Sequence, residues 1–88
     1  MYVVGAGKLR SFSEKRAEAA GPLAAIYAVL SETEWATPEA MALGLGEIAE
    51  ALPDGAIAVN LDWCGARLLL RCNYAAGVVL IERVTRSE

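Results

Sequence analysis

The rhythm of apolar and polar positions changes once along this chain, near Ala56. Beyond that point the side chains alternate. Ile57, Val59 and Leu61 alternate with Ala58 and Asn60. Leu68, Leu70, Cys72 and Tyr74 alternate with Arg67, Leu69, Arg71 and Asn73, and Val79 and Ile81 with Val78, Leu80 and Glu82. Successive strand side chains point to opposite faces, so a period of two marks strands. The pattern predicts strands at Ala56–Leu61, Ala66–Tyr74 and Val78–Val84, joined by Asp62-Trp63-Cys64-Gly65 and Ala75-Ala76-Gly77. In the middle strand Arg67 and Arg71 share a face, roughly 13 Å apart.

Upstream, Tyr2-Val3-Val4 reads as a short strand entering a Gly5-Ala6-Gly7 turn. Lys8 to Ala20 is rich in helix formers, with Leu9 and Phe12 as its buried contacts and Ser11 or Ser13 as its N-cap. Gly21-Pro22 predicts the break to a second helix, since glycine suits a C-terminal cap and proline the first helical position. From Pro22 to about Thr33, Leu23, Ile26, Tyr27 and Leu30 form one apolar stripe. Thr37-Pro38-Glu39 is a third helix start, and Glu39–Leu52 is helix-prone but interrupted by Gly44 and Gly46. Pro53-Asp54-Gly55 is a turn. This order predicts one α+β domain over residues 1–88. A short N-terminal strand and a helical hairpin pack on a mainly antiparallel sheet that ends in a three-stranded meander.

Composition narrows the chemistry. At 56% hydrophobic and 22% charged residues the chain is of globular type. The run Ala19–Ser31 is too short to span a bilayer, and the N-terminus does not read as a signal peptide, so the expected location is the cytoplasm. There is no histidine, which removes the commonest zinc ligand and the commonest acid–base group, so neither a metal nor a cofactor is expected. Cys64 and Cys72 are too few for a disulfide framework; Cys72 reads as a small buried hydrophobe and Cys64 as an exposed turn thiol. Gly5-x-Gly7 lacks the third glycine of a dinucleotide loop, position 10 being Arg10, and Gly7-Lys8 lacks the rest of a P-loop.

The net charge of −3 hides a segregation. Lys8, Arg10, Lys15 and Arg16 lie near one end and Arg67, Arg71, Arg83 and Arg86 near the other, with none between Ala17 and Asp62. If the two ends meet they form a basic surface; the alternative is an ordinary mixed one.

In its order of stretches the chain resembles the HigB-like toxins of bacterial toxin–antitoxin modules, within the wider RelE/ParE toxin fold. The matching stretches are Met1-Tyr2-Val3-Val4, Leu9-Arg10-Ser11-Phe12-Ser13-Glu14-Lys15, Pro22-Leu23, Ile26-Tyr27 and Glu34-Trp35. Beyond them come Val59-Asn60-Leu61, Arg67-Leu68, Asn73-Tyr74 and Ile81-Glu82-Arg83-Val84-Thr85. The resemblance implies a metal-independent mRNA endoribonuclease, often working on the ribosome and neutralised by a helix-turn-helix, HigA-like antitoxin. Such enzymes align a 2′-hydroxyl with the adjacent phosphate and stabilise the developing charge with basic side chains. Arg67 stands at the family's arginine position, Gly65 where the family has a lysine, and Arg86 where it has a histidine.

Arg67, Arg86 and Arg71 are therefore the catalytic candidates, and Lys8, Arg10, Trp63 and Arg83 the RNA-binding ones. Each has a plainer alternative. Arg67 is also placed to pair with Glu82, Arg71 to solubilise a sheet face, Arg83 and Arg86 to belong to a basic C-terminus, and Trp63 to pack back on the sheet. Tyr74 reads as core. Two other activities stay open: a catalytically weak module that mainly binds its antitoxin, and a gyrase-directed poison on the same fold.

Overall fold

A computed structural model describes residues 1–86. Along the chain run β1 (Tyr2–Val4), α1 (Ala6–Lys15), a 3-10 turn (Ala17–Ala19), α2 (Ala20–Glu32), α3 (Pro38–Leu45), a second 3-10 turn (Gly46–Ile48) and β2 (Ala49–Ala51). Then come β3 (Ile57–Leu61), a third 3-10 turn (Asp62–Cys64), β4 (Ala66–Asn73) and β5 (Val78–Arg86). The strands form one sheet in the order β1-β5-β4-β3-β2. All neighbours are antiparallel except β1, which lies parallel to β5 with Tyr2 opposite Val78 and Val4 opposite Leu80.

The α+β class and the closing meander agree with the alternation. Several boundaries do not. The helix-prone stretch Glu39–Leu52 is helical only to Leu45; past Gly46, at φ +84, Ala49–Ala51 leaves as the edge strand β2 against Ile57–Val59. Three residues, two of them alanines, carry no period of their own, so only pairing to β3 decides their state. The first helix begins at Ala6 and not near Ser11; its N-cap is Gly5, and the Ser13 hydroxyl donates back to the Leu9 carbonyl. The two helices part at Arg16, which is extended, and not at Gly21-Pro22. Pro22 falls in the first turn of α2, where no intrahelical N–H bond is required.

One face of the sheet carries the core. Ala66, Leu68 and Leu70 of β4 and Val79 and Ile81 of β5 are fully buried there against Leu9 of α1, Leu23, Ile26 and Leu30 of α2 and Met41 of α3. Tyr27, expected in the α2 stripe, is instead 40% exposed. Cys64 is also a correction: it is buried, and its thiol donates to the Leu61 carbonyl. The Met1 ammonium donates to the carbonyls of Leu30, Ser31 and Thr33 at 3.1, 3.3 and 2.9 Å. It thereby places positive charge at the C-terminus of α2, a helix with no basic residue in its last turn. No helix among the described residues is long and apolar enough to cross a membrane.

Candidate functional site

The helices leave the other face of the sheet uncovered. Arg67, Leu69, Arg71 and Asn73 of β4 project from it, with Arg83 and Thr85 from β5 and Asn60 from β3. Thr85 lies directly opposite Arg67, and Arg83 opposite Leu69, so Arg67 and Arg83 are diagonal neighbours within side-chain reach. Leu52 closes one side, and a shallow cleft of about 310 Å³ lies among Leu52, Arg67, Leu69, Arg83 and Thr85. Neither arginine has a carboxylate within ion-pair distance among the described residues.

Arg71 is different. Its Nε donates to Glu82 Oε2 at 2.7 Å and its second nitrogen to Asp54 Oδ2 at 2.9 Å. Two local features build this bracket. In the turn before β3, Asp54 turns its other oxygen back to accept the Ala56 N–H at 3.0 Å. In β5 the register slips opposite Leu69 and Leu70, leaving Glu82 as an extra residue between Ile81 and Arg83. The Ala56 N–H and the Arg71 guanidinium together hold the Asp54 carboxyl below its usual range, and the two carboxylates raise Arg71. Arg71 is thus engaged as a brace across the face, and Glu82 pairs with it and not with Arg67.

The third catalytic candidate lies elsewhere. Arg86 is opposite Ala66, whose side chain faces the helices, so Arg86 belongs to the helical side. There the two chain ends do meet. Between α1 and β5 runs a groove in two sections, of about 420 and about 400 Å³, bordered by Lys8, Lys15, Arg16, Arg83 and Arg86. Lys8 Nζ donates to the Glu82 carbonyl at 2.7 Å, tying α1 to β5 beyond the end of β1. Arg10 faces away from this groove, into a hollow between α1 and α2. Trp63 is 66% exposed on its 3-10 turn, so it does not pack back on the sheet.

Sequence reasoning did not single out Arg16. Its guanidinium nitrogen lies 2.6 Å from where a Cβ on Gly65 would be, over the turn that leads into Arg67. Nothing local in the sequence marks it, because the contact joins residues far apart in the chain. Tyr74 sits on the helical side with Cys72 and Met41, its hydroxyl 3.9 Å from the methionine sulfur. Burial pushes its phenol well above the ordinary tyrosine range, which keeps it protonated. Among the described residues no three metal-ligating side chains come together.

The arrangement offers more groups suited to holding an anion than to moving a proton. A guanidinium fork matches the oxygens of a phosphate, and two forks on neighbouring strands fit successive phosphates or two edges of one. No protein-family model matches this chain, and no curated protein is significantly similar to it in sequence.

Proposed function

We propose that this protein is a toxin-type module directed at RNA, of the HigB-like kind, with the Arg67–Arg83 face as its phosphate-binding centre. One observation carries the reading: two arginines stand side by side on an uncovered sheet face, without carboxylate partners among the described residues. In a chain of net charge −3, attraction for a polyanion must come from such local clusters. The α1–β5 groove continues the positive surface around the end of the sheet. Metal-independent cleavage proceeds by attack of a 2′-hydroxyl oxygen on the adjacent phosphorus and departure of the 5′-oxygen. Arg67, helped by Arg83, stabilises the charge that builds on the phosphoryl oxygens. Cleavage of mRNA, with or without the ribosome, then halts translation and growth, and a helix-turn-helix antitoxin is the expected neutralising partner.

A second reading has its own support. Arg71 is held by Asp54 and Glu82, Arg86 lies on the helical side, and Tyr74 is buried and protonated, so none of these groups is placed to take a proton beside Arg67. That set favours a module that grips its antitoxin or RNA and cleaves weakly or not at all. Induced expression with mapping of mRNA 5′ ends separates the two. The nuclease reading expects new ends with wild type that disappear with Arg67→Ala and persist with Leu43→Ala, an exposed position on α3 away from both basic surfaces. Identical end maps for wild type and Arg67→Ala defeat it. Growth arrest with DNA damage and no new ends points instead to gyrase.

A further inference from the structure

β5 is longer than the strand beside it. β1 pairs only with Val78, Val79 and Leu80, so from Ile81 to Arg86 that side of β5 has no strand neighbour among the described residues. Helix α1 stands there instead. Lys8, Ser11, Phe12 and Lys15 fall at i, i+3, i+4 and i+7, one stripe of the helix, and border the groove with Glu82, Arg83 and Val84. The open edge of β5 lies between this groove and the uncovered sheet face. Arg83 and Thr85, both exposed, border the groove and also the cleft beside Arg67. Cleft and groove are therefore one connected surface that passes over a strand edge.

The charges along this surface have one sign. Arg67 and Arg83 stand on the face, while Lys8, Lys15 and Arg86 border the groove. None of these five has a carboxylate within ion-pair distance among the described residues. Glu82, which lies on the route, turns its carboxylate to Arg71 and its carbonyl to Lys8. Lys8 keeps two ammonium protons for other acceptors. Lys8 and Lys15 are two helical turns apart, about 10 Å. Between them Phe12 borders both sections of the groove, an apolar contact of the kind a base takes. Cations at intervals with an aromatic ring among them make a channel for a single strand.

We infer that one single strand of RNA occupies both surfaces, its phosphates passing from Arg67 over the edge of β5 at Arg83 into the α1–β5 groove. The route rests on the RNA reading and adds to it the strandedness and the length of the site. A duplex cannot follow it. The whole molecule measures 34 Å along its longest axis, and double-helical nucleic acid stays straight over far greater lengths. A peptide strand added to the open edge of β5 would run along that edge and leave Arg67 untouched.

Fluorescence anisotropy with 2′-O-methyl oligouridine, which has no free 2′-hydroxyl to attack, tests the route. A strand about twelve nucleotides long is expected to bind with a salt slope of about −3.5, from five phosphates at about −0.7 each. A trinucleotide, with its two phosphates, is expected to show a slope of about −1.4. Lys15→Gln combined with Arg86→Gln should bring the long strand to about −2.1, and Arg67→Ala alone to about −2.8, each with an unchanged far-UV circular dichroism spectrum. A duplex of the same length should bind more weakly than the single strand. A long-strand slope no steeper than the trinucleotide's, or one unmoved by the groove pair, overturns the route and leaves the RNA reading standing; the groove then belongs to another occupant, such as an acidic segment of a protein partner. A slope that responds to the groove pair and not to Arg67→Ala confines the strand to the groove and overturns the route too, as does tighter binding of the duplex. No binding of any of these at about 25 mM salt overturns the RNA reading together with the route.

Discussion

Replacing Gly5 with alanine tests the joint on which the whole arrangement turns. Gly5 ends β1 and caps α1 at φ +93, a conformation that L side chains rarely adopt. Its added Cβ would also lie 2.8 Å from the Ile81 carbonyl oxygen, a backbone atom of β5, which is paired on both sides by β1 and β4. The conformational penalty is about 1–2 kcal/mol. The contact adds about 1–3 kcal/mol, because relieving it means moving β1 away from β5. Gly55 separates the two effects. It has φ +90, and no atom lies within 4 Å of its would-be Cβ, so Gly55→Ala carries the conformational part alone. Two-state urea and thermal unfolding of both variants should place Gly5→Ala lower by at least about 1 kcal/mol, or about 4–8 °C in Tm for a domain of this size. Equal losses would show that the approach of Gly5 to Ile81 does not constrain the fold, and that β1 is free to yield.

Two further outcomes follow from the core and the brace. Met41→Ala empties a fully buried site between α3 and β4, where its sulfur touches the Cys72 thiol at 3.5 Å. It should cost about 2–5 kcal/mol in urea unfolding and speed alkylation of Cys72, whose thiol burial now raises above its ordinary pKa. Asp54 is held below the usual carboxylate range when folded, so its stabilisation is present above the unfolded value of 3.8 and lost as pH falls through the folded one. The stability gap between wild type and Asp54→Asn should therefore be full at neutral pH and shrink in acid; a gap independent of pH between about 7 and about 2 would refute the bracket.

Elements with a strong local signal are legible in the residues themselves. The alternation of β3 to β5 is a one-dimensional pattern, and so is the Leu23, Ile26, Leu30 stripe; both appear where that pattern puts them. Thr37-Pro38-Glu39 likewise caps α3, with the threonine hydroxyl accepting the Ala40 N–H. Where signals compete, reading by local rule fails. Gly21-Pro22 looks like a helix break, yet proline is tolerated throughout a first turn, so the break can sit earlier, at Arg16. The strand Ala49–Ala51 has no signal strong enough to oppose its helix-prone context; β3 recruits it.

Composition and a period of two are enough to establish the class of the fold, the lack of histidine chemistry, and the fact that Arg67 and Arg71 share one sheet face. Neighbours along the chain suffice to set all three. Which arginine is available depends on three dimensions. Arg67 and Arg71 are equivalent in the pattern, but the turn at Asp54 and the extra residue Glu82 bring two carboxylates to Arg71 and none of the described ones to Arg67. The meeting of Lys8, Lys15 and Arg16 with Arg83 and Arg86 arises in the same way. It follows from the parallel pairing of the first strand with the last, a contact between chain ends that no local pattern encodes.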